Sequence, residues 1–176
     1  MNGIATSTEV SDDELLALAQ TLSQQLMARG WMLASAESCT GGLIAATCTE
    51  LSGSSLWFER GFVTYSNAAK SELLRVSGEL IATHGAVSEP VATAMARGAC
   101  AHSAAQVSVA VTGVAGPTGG SPNKPVGTVW FGWSLPGRQH VEVCHFTGDR
   151  RAVRRQTVRH ALGWLVTTLG QSASPT

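Results

Sequence analysis

The chain has 176 residues, 44% of them hydrophobic and only 14% charged, a length and composition that fit one compact domain and exclude a disordered chain or a multidomain assembly. Twelve basic and twelve acidic side chains cancel, so no global field draws in nucleic acid or an anionic membrane surface. No apolar run approaches the roughly 18 residues of a membrane span, and the first ten residues lack the basic and apolar regions of a signal peptide, so a cytoplasmic protein without a membrane partner is expected.

Ser11-Asp12-Asp13-Glu14 has the pattern of a capping box. The helix it opens carries Leu15, Leu18, Ala19, Leu22 and Leu26 at helical spacing and stops at Gly30. Residues 31–36 form a short apolar run, as in a buried strand, and Gly41-Gly42 marks a tight turn into a helix over 43–51. Residues 58–65 predict a second strand and 68–76 a helical stretch. Ser88 with Pro90 opens a further helix whose alanine-rich body, to residue 105, suits close packing. Val107 to Val111 is a β-branched strand that runs into the glycine- and proline-rich loop 112–127, longer than a bare connector. Residues 126–135 and 140–146 predict a hairpin around Pro136-Gly137, and a last helix covers 149–169. Strands alternating with helices predict a single three-layer α/β/α domain over 11–170, with a mixed, mostly parallel sheet, a polar extension at 1–10 and a polar tail at 171–176. The charges are uneven: residues 1–60 hold seven acids and two bases, and residues 138–176 two acids and six arginines.

Chemistry is expected first at the strand end Ala36-Glu37-Ser38-Cys39-Thr40-Gly41-Gly42. A helix start there offers backbone donors and a partial positive charge to an oxyanion. Ser38 or Thr40 can equally be a plain helix cap, and Cys39 is a rival nucleophile. A serine needs a base. Among the histidines, His102, His140 and His160 fall at exposed-looking helix or hairpin positions, while His84 and His145 carry no motif. Lysine is scarcer, at Lys70 and Lys124 alone. Lys70 follows Tyr65-Ser66-Asn67 at another strand-to-helix junction, where desolvation would make it a base and solvent would leave it an ordinary helix lysine. Gly113, Gly116, Gly119 and Gly120, with Lys124 nearby, can cradle a phosphate, although no Walker loop is present. Arg150, Arg154 and Arg155 can pair with an anion or simply face solvent. Cys39, Cys48, Cys100 and Cys144 form no CxxC pair, which speaks against a zinc site or a redox dithiol.

Taken together, AESCTGG (36–42), GFVTYSNAAK (61–70), HGAVSEPVA (84–92), TGVAGPTGG (112–120), KPVGTV (124–129) and FTGDRRAVRRQ (146–156) resemble the CinA C-terminal domain family over residues 12–169, in the family's order. The larger members carry an additional N-terminal domain, for which this chain has no room. The resemblance implies hydrolysis of the carboxamide of nicotinamide mononucleotide to nicotinate mononucleotide and ammonia, in pyridine nucleotide recycling, with no cofactor and no metal. It implies Ser38 as nucleophile, Lys70 as general base and Tyr65 as an auxiliary catalytic group. The oxyanion is then expected against Thr40, Gly41 and Gly42. Asn67, Thr112, Gly113, Gly116 and Arg150 are expected to contact the substrate, the last four around its phosphate. The family's tendency implies a homo-oligomer, with Trp57, Trp130 and Trp133 open either to an interface or to the core. Two other functions compete: a non-catalytic pyridine-nucleotide-binding regulatory module, and a DNA-associated competence factor. The zero net charge and the lack of a nucleic-acid motif count against the second.

Overall fold

The computed structural model describes residues 9–171; most of the expected extension 1–10 and tail 171–176 lies outside the described residues. The chain order is α1 (Asp12–Met27), β1 (Leu33–Glu37), α2 (Leu43–Thr49), a 3-10 turn (Ser54–Leu56), β2 (Phe58–Val63), α3 (Asn67–Leu74), α4 (Gly78–His84), α5 (Glu89–Ala101), β3 (Val107–Gly113), β4 (Thr128–Leu135), β5 (Arg138–His145) and α6 (Arg150–Gln171). The sheet order is β2-β1-β3-β4-β5. β1 pairs in parallel with both β2 and β3, whereas the β3–β4 and β4–β5 ladders are antiparallel. Four of the five strands therefore point the same way, in a mixed sheet between two helical layers.

Alternation along the central strands sets the two faces. Leu33 of β1 and Val107, Val109 and Val111 of β3 join a core with Leu15, Leu22 and Leu26 of α1 and Val158, Leu162 and Leu165 of α6. The opposite face carries small residues: Ala34, Ala36 and Ala110 pack with Val91, Met95, Ala96 and Ala99 of α5. Small size on both partners lets α5 approach the sheet closely. At Gly132 of β4 a Cβ would stand 2.5 Å from the Ala92 carbonyl oxygen, which is overlap, so only glycine fits there.

The expected elements all form, and two features differ. The Ser11 hydroxyl caps α1 by accepting from the Glu14 amide at 3.1 Å. The stretch after residue 68, however, breaks at Arg75 in the left-handed region (φ 57°), and α4 follows. No periodic signal marks α4 in the sequence, because its seven residues bury only Ile81. Trp57 and Trp133 are each 1% exposed: both are core residues, and the interface alternative falls for them. Trp130 is only partly buried.

Two of the six arginines near the C-terminal end meet the acidic start of the chain. Arg155 donates to the Val10 carbonyl and, at 2.6 Å, to Asp12; Arg159 lies 3.7 Å from Glu14. The basic last helix thus closes against the acidic first one.

Candidate functional site

β1 and β3 lie side by side, and the chain leaves their carboxyl ends in opposite directions across the sheet, from β1 through α2 toward β2 and from β3 through a loop into β4. The crevice outside such strand ends is where open α/β sheets bind ligands. Here it is a cavity of about 220 Å³ lined by Ser38, Cys39, Tyr65, Asn67, Lys70, Ala86, Val87, Thr112, Gly113, Ala115 and Arg150.

Ser38 is the first residue past β1. Its amide donates to the Val111 carbonyl at 3.1 Å, so the ladder to β3 holds its backbone. Behind it, Glu37 is fully buried and its carboxylate accepts four hydrogen bonds. The donors are the Ser35 hydroxyl (3.1 Å), the Thr40 hydroxyl (2.8 Å) and the Ile44 and Ala45 amides (2.7 and 3.0 Å). A buried carboxylate persists only when satisfied in this way. It ties the end of β1 to the first turn of α2 and closes the loop that presents Ser38. Gly41 and Gly42 turn that loop through positive φ (59° and 101°), and Arg154 donates to the Thr40 carbonyl at 2.8 Å.

Lys70 reaches the same point from α3, whose first turn is capped by the Ser66 hydroxyl accepting from Ala69 at 3.0 Å. The lysine is 1% exposed. Its Nζ donates to the Thr64 carbonyl at 2.9 Å and contacts the Tyr65 carbonyl at 3.4 Å and Ser38 Oγ at 3.1 Å. No carboxylate pairs with it among the described residues, and burial lowers its pKa from the ordinary lysine value. An amine so placed can take the serine's proton. Cys39 points the other way chemically: burial pushes its thiol up to about 12, so it stays protonated and is a poor nucleophile.

The remaining expected residues divide. Asn67, Thr112 and Gly113 line the cavity, and the Thr112 hydroxyl donates to the Ala86 carbonyl at 2.8 Å. Arg150, at the start of α6, donates to the Gly116 carbonyl (2.9 Å) and to Tyr65 Oη (3.0 Å). Both partners are neutral, so the guanidinium keeps its charge for an anion. The Tyr65 phenol therefore sits with Arg150 at the mouth, 60% exposed, and only the Tyr65 backbone faces Lys70. Gly116 reaches the site through Arg150. Thr40, Gly41 and Gly42 do not line the cavity: the Thr40 hydroxyl serves Glu37, and the Gly41 amide donates to the Ser38 carbonyl at 3.0 Å. Lys124 lies elsewhere, donating to the His84 carbonyl at 2.9 Å. Sequence reasoning missed the role of Glu37, and Arg154, expected to meet an anion or solvent, instead holds the Thr40 carbonyl. An acid ending an apolar strand was the available signal, since a buried carboxylate demands a partner set.

The fold and the site together define an α/β protein with a serine–lysine pair at the sheet's switch point and a cation at the mouth. The family model for the CinA C-terminal domain matches residues 15–169, and the chain belongs to that family. It is 50% identical over 155 residues to the nicotinamide-nucleotide amidohydrolase PncC of Escherichia coli K12, covering 87% of this chain and 93% of that one. It is 53% identical over 154 residues to the protein of the same name from Pseudomonas putida, covering 88% and 96%. Among solved structures it is similar to the competence/damage inducible protein CihA from Agrobacterium tumefaciens, with a TM-score of 0.86 at 44% identity over 90% of this chain and 96% of that one.

Proposed function

We propose that this protein is an amidohydrolase that converts nicotinamide mononucleotide to nicotinate mononucleotide and ammonia, as a step in pyridine nucleotide recycling. The observation that carries the reading is the buried Lys70 Nζ, without a carboxylate partner, 3.1 Å from Ser38 Oγ. The names of the relatives at 50% and 53% identity support the substrate class.

Ser38 Oγ attacks the carboxamide carbon while its proton passes to Lys70 Nζ. The tetrahedral intermediate places its oxyanion against the Cys39 amide, the part of the turn after Ser38 whose residue lines the cavity. Lys70 returns the proton to the departing nitrogen, ammonia leaves, and an ester to Ser38 remains. Water then attacks the ester with Lys70 again as base, and Ser38 regains its proton as nicotinate mononucleotide is released. Asn67, Thr112 and Gly113 contact the substrate, and Arg150 takes the phosphate as a charge-assisted partner. Gly116 and Tyr65 hold that arginine in place, and Thr40, Gly41 and Gly42 shape the turn. No step in this scheme calls for a metal or a cofactor. The protein acts as a homo-oligomer in the cytoplasm, a state that light scattering of the purified chain and fractionation of cells test. No helix among the described residues is long and apolar enough to cross a membrane.

The deciding experiment is ammonia release from nicotinamide mononucleotide, with free nicotinamide and the riboside as controls and Ser38→Ala alongside. Turnover of the mononucleotide alone, abolished in the variant while nucleotide binding persists, is the expected result. Binding without release by the wild-type chain would instead assign a regulatory nucleotide-binding module.

A further inference from the structure

β5 is an edge strand, and alternation sends His140, Glu142 and Cys144 to one face, opposite Trp133, Phe131 and Val129 of β4. That face looks onto α6, where His160 meets them. Glu142 Oε1 lies 2.5 Å and Cys144 Sγ 3.5 Å from the same ring nitrogen, His160 Nε2. One oxygen, one sulfur and one imidazole nitrogen fall within 4.8 Å of one another, all half-buried.

The shape of this cluster selects its use. A proton relay needs the histidine to spend one ring nitrogen on the nucleophile and the other on the carboxylate. Here the carboxylate and the sulfur both approach Nε2, so three donors converge on one point, as ligands do around a cation. The donors are also held. The His160 ring stands edge-on to Phe131 and Phe146, with centroids 4.7 and 6.2 Å away. His140 is stacked on Trp164 at 4.9 Å and on Trp133 at 5.6 Å, which puts its Nε2 3.5 Å from the second oxygen of Glu142. That is the outer partner a ligating carboxylate ordinarily has.

We propose that Glu142, Cys144 and His160 bind a divalent transition-metal ion of the zinc class, at a structural site separate from the serine–lysine pocket. With bond lengths of about 2.3 Å to sulfur and about 2.0–2.1 Å to nitrogen, tetrahedral sulfur and nitrogen ligands stand roughly 3.5 Å apart, which is the spacing of Cys144 and His160. Oxygen and nitrogen ligands stand about 3.3 Å apart, so Glu142 withdraws from His160 by a little under 1 Å, roughly, to admit the ion. Water takes the fourth position. On binding, the proton shared between Glu142 and His160 Nε2 and the proton of the Cys144 thiol both pass to solvent. Ligands from β5 and α6 make the ion a staple between the edge strand and the last helix. His160 lies ten residues beyond Arg150, about 15 Å along the helix, so the staple leaves the pocket untouched.

The test uses the full chain, freed of metal by chelator and titrated with Co²⁺ as the optical probe. One equivalent is expected to give a near-ultraviolet thiolate-to-cobalt band and tetrahedral visible absorption, both displaced by Zn²⁺. Cys144→Ser should abolish the band, His160→Gln should remove saturable binding, and His140→Gln should weaken affinity by about 10-fold. Zn²⁺ should raise the Tm of the wild-type chain and leave that of Cys144→Ser unmoved. Ammonia release by Cys144→Ser at the wild-type rate shows that the variant is folded; if His160→Gln does not fold, Glu142→Gln replaces it. Absence of a saturable band in the wild-type chain, or undiminished binding in Cys144→Ser and the second variant, would overturn the site.

Discussion

Lys70 combines two properties that normally conflict, since a charged amine is expensive to bury and a neutral one is rare near neutral pH. In the proposed mechanism only the uncharged amine accepts the Ser38 proton, so turnover should rise with pH through the lowered Lys70 pKa and level off above it, falling about tenfold per unit below. A pH–rate profile of kcat checks this. Stability carries the same sign. The folded-state pKa lies below the unfolded one, so between the two values the unfolded chain binds more protons and stability increases with pH. Lys70→Met should therefore abolish the pH-dependent limb, collapse kcat with little change in nucleotide affinity, and raise Tm by a few degrees at neutral pH as a buried amine without a carboxylate partner becomes apolar. Cys39 provides the contrast at the neighbouring position. With its thiol held up at about 12, Cys39→Ser should retain most turnover, and a complete loss in a folded variant would move the nucleophile to sulfur. Both residues stand in the motifs at 36–42 and 61–70, but their protonation depends on burial, which no local pattern reports.

At the scale of elements, the position of Ser38, the proposed nucleophile, depends on one buried carboxylate. Glu37→Gln replaces an acceptor of four hydrogen bonds by a group that turns donors toward donors. It should cost about 2–4 kcal/mol in urea unfolding and lower kcat through a displaced Ser38. Unchanged kcat with reduced stability would restrict Glu37 to a folding role. Packing between α3 and α5 is as exacting. A Cβ at Gly98 would come within 2.2 Å of the Leu74 carbonyl oxygen, so Gly98→Ala should destabilise the chain by about 1–3 kcal/mol, measured as a fall in the urea midpoint. It should also loosen the helix that carries Lys70. The element boundaries themselves were largely legible, because capping residues, glycines and β-branched runs act locally. The helix at Gly78–His84 was not, since it buries a single residue.

For the whole molecule, the two sites make opposite predictions about metal. Exhaustive chelation should leave ammonia release intact, because in the proposed mechanism the serine–lysine pair carries its own proton transfer, while lowering Tm by removing the proposed staple between β5 and α6. Activity lost on chelation and restored by Zn²⁺ would bring the ion into the chemistry. The sequence by itself determined the layered α/β class, the order of nearly every element and the motifs that hold Ser38 and Lys70. Each of these rests on interactions between residues close in the chain: hydrophobic period, helix caps and turn glycines. Only the tertiary structure decided that these two residues meet at 3.1 Å, that Tyr65 serves Arg150, that Arg154 and Arg155 brace the fold, and that Cys144, without a nearby cysteine, stands beside His160. These depend on strand register and helix placement, which bring together side chains that chain-local forces leave independent.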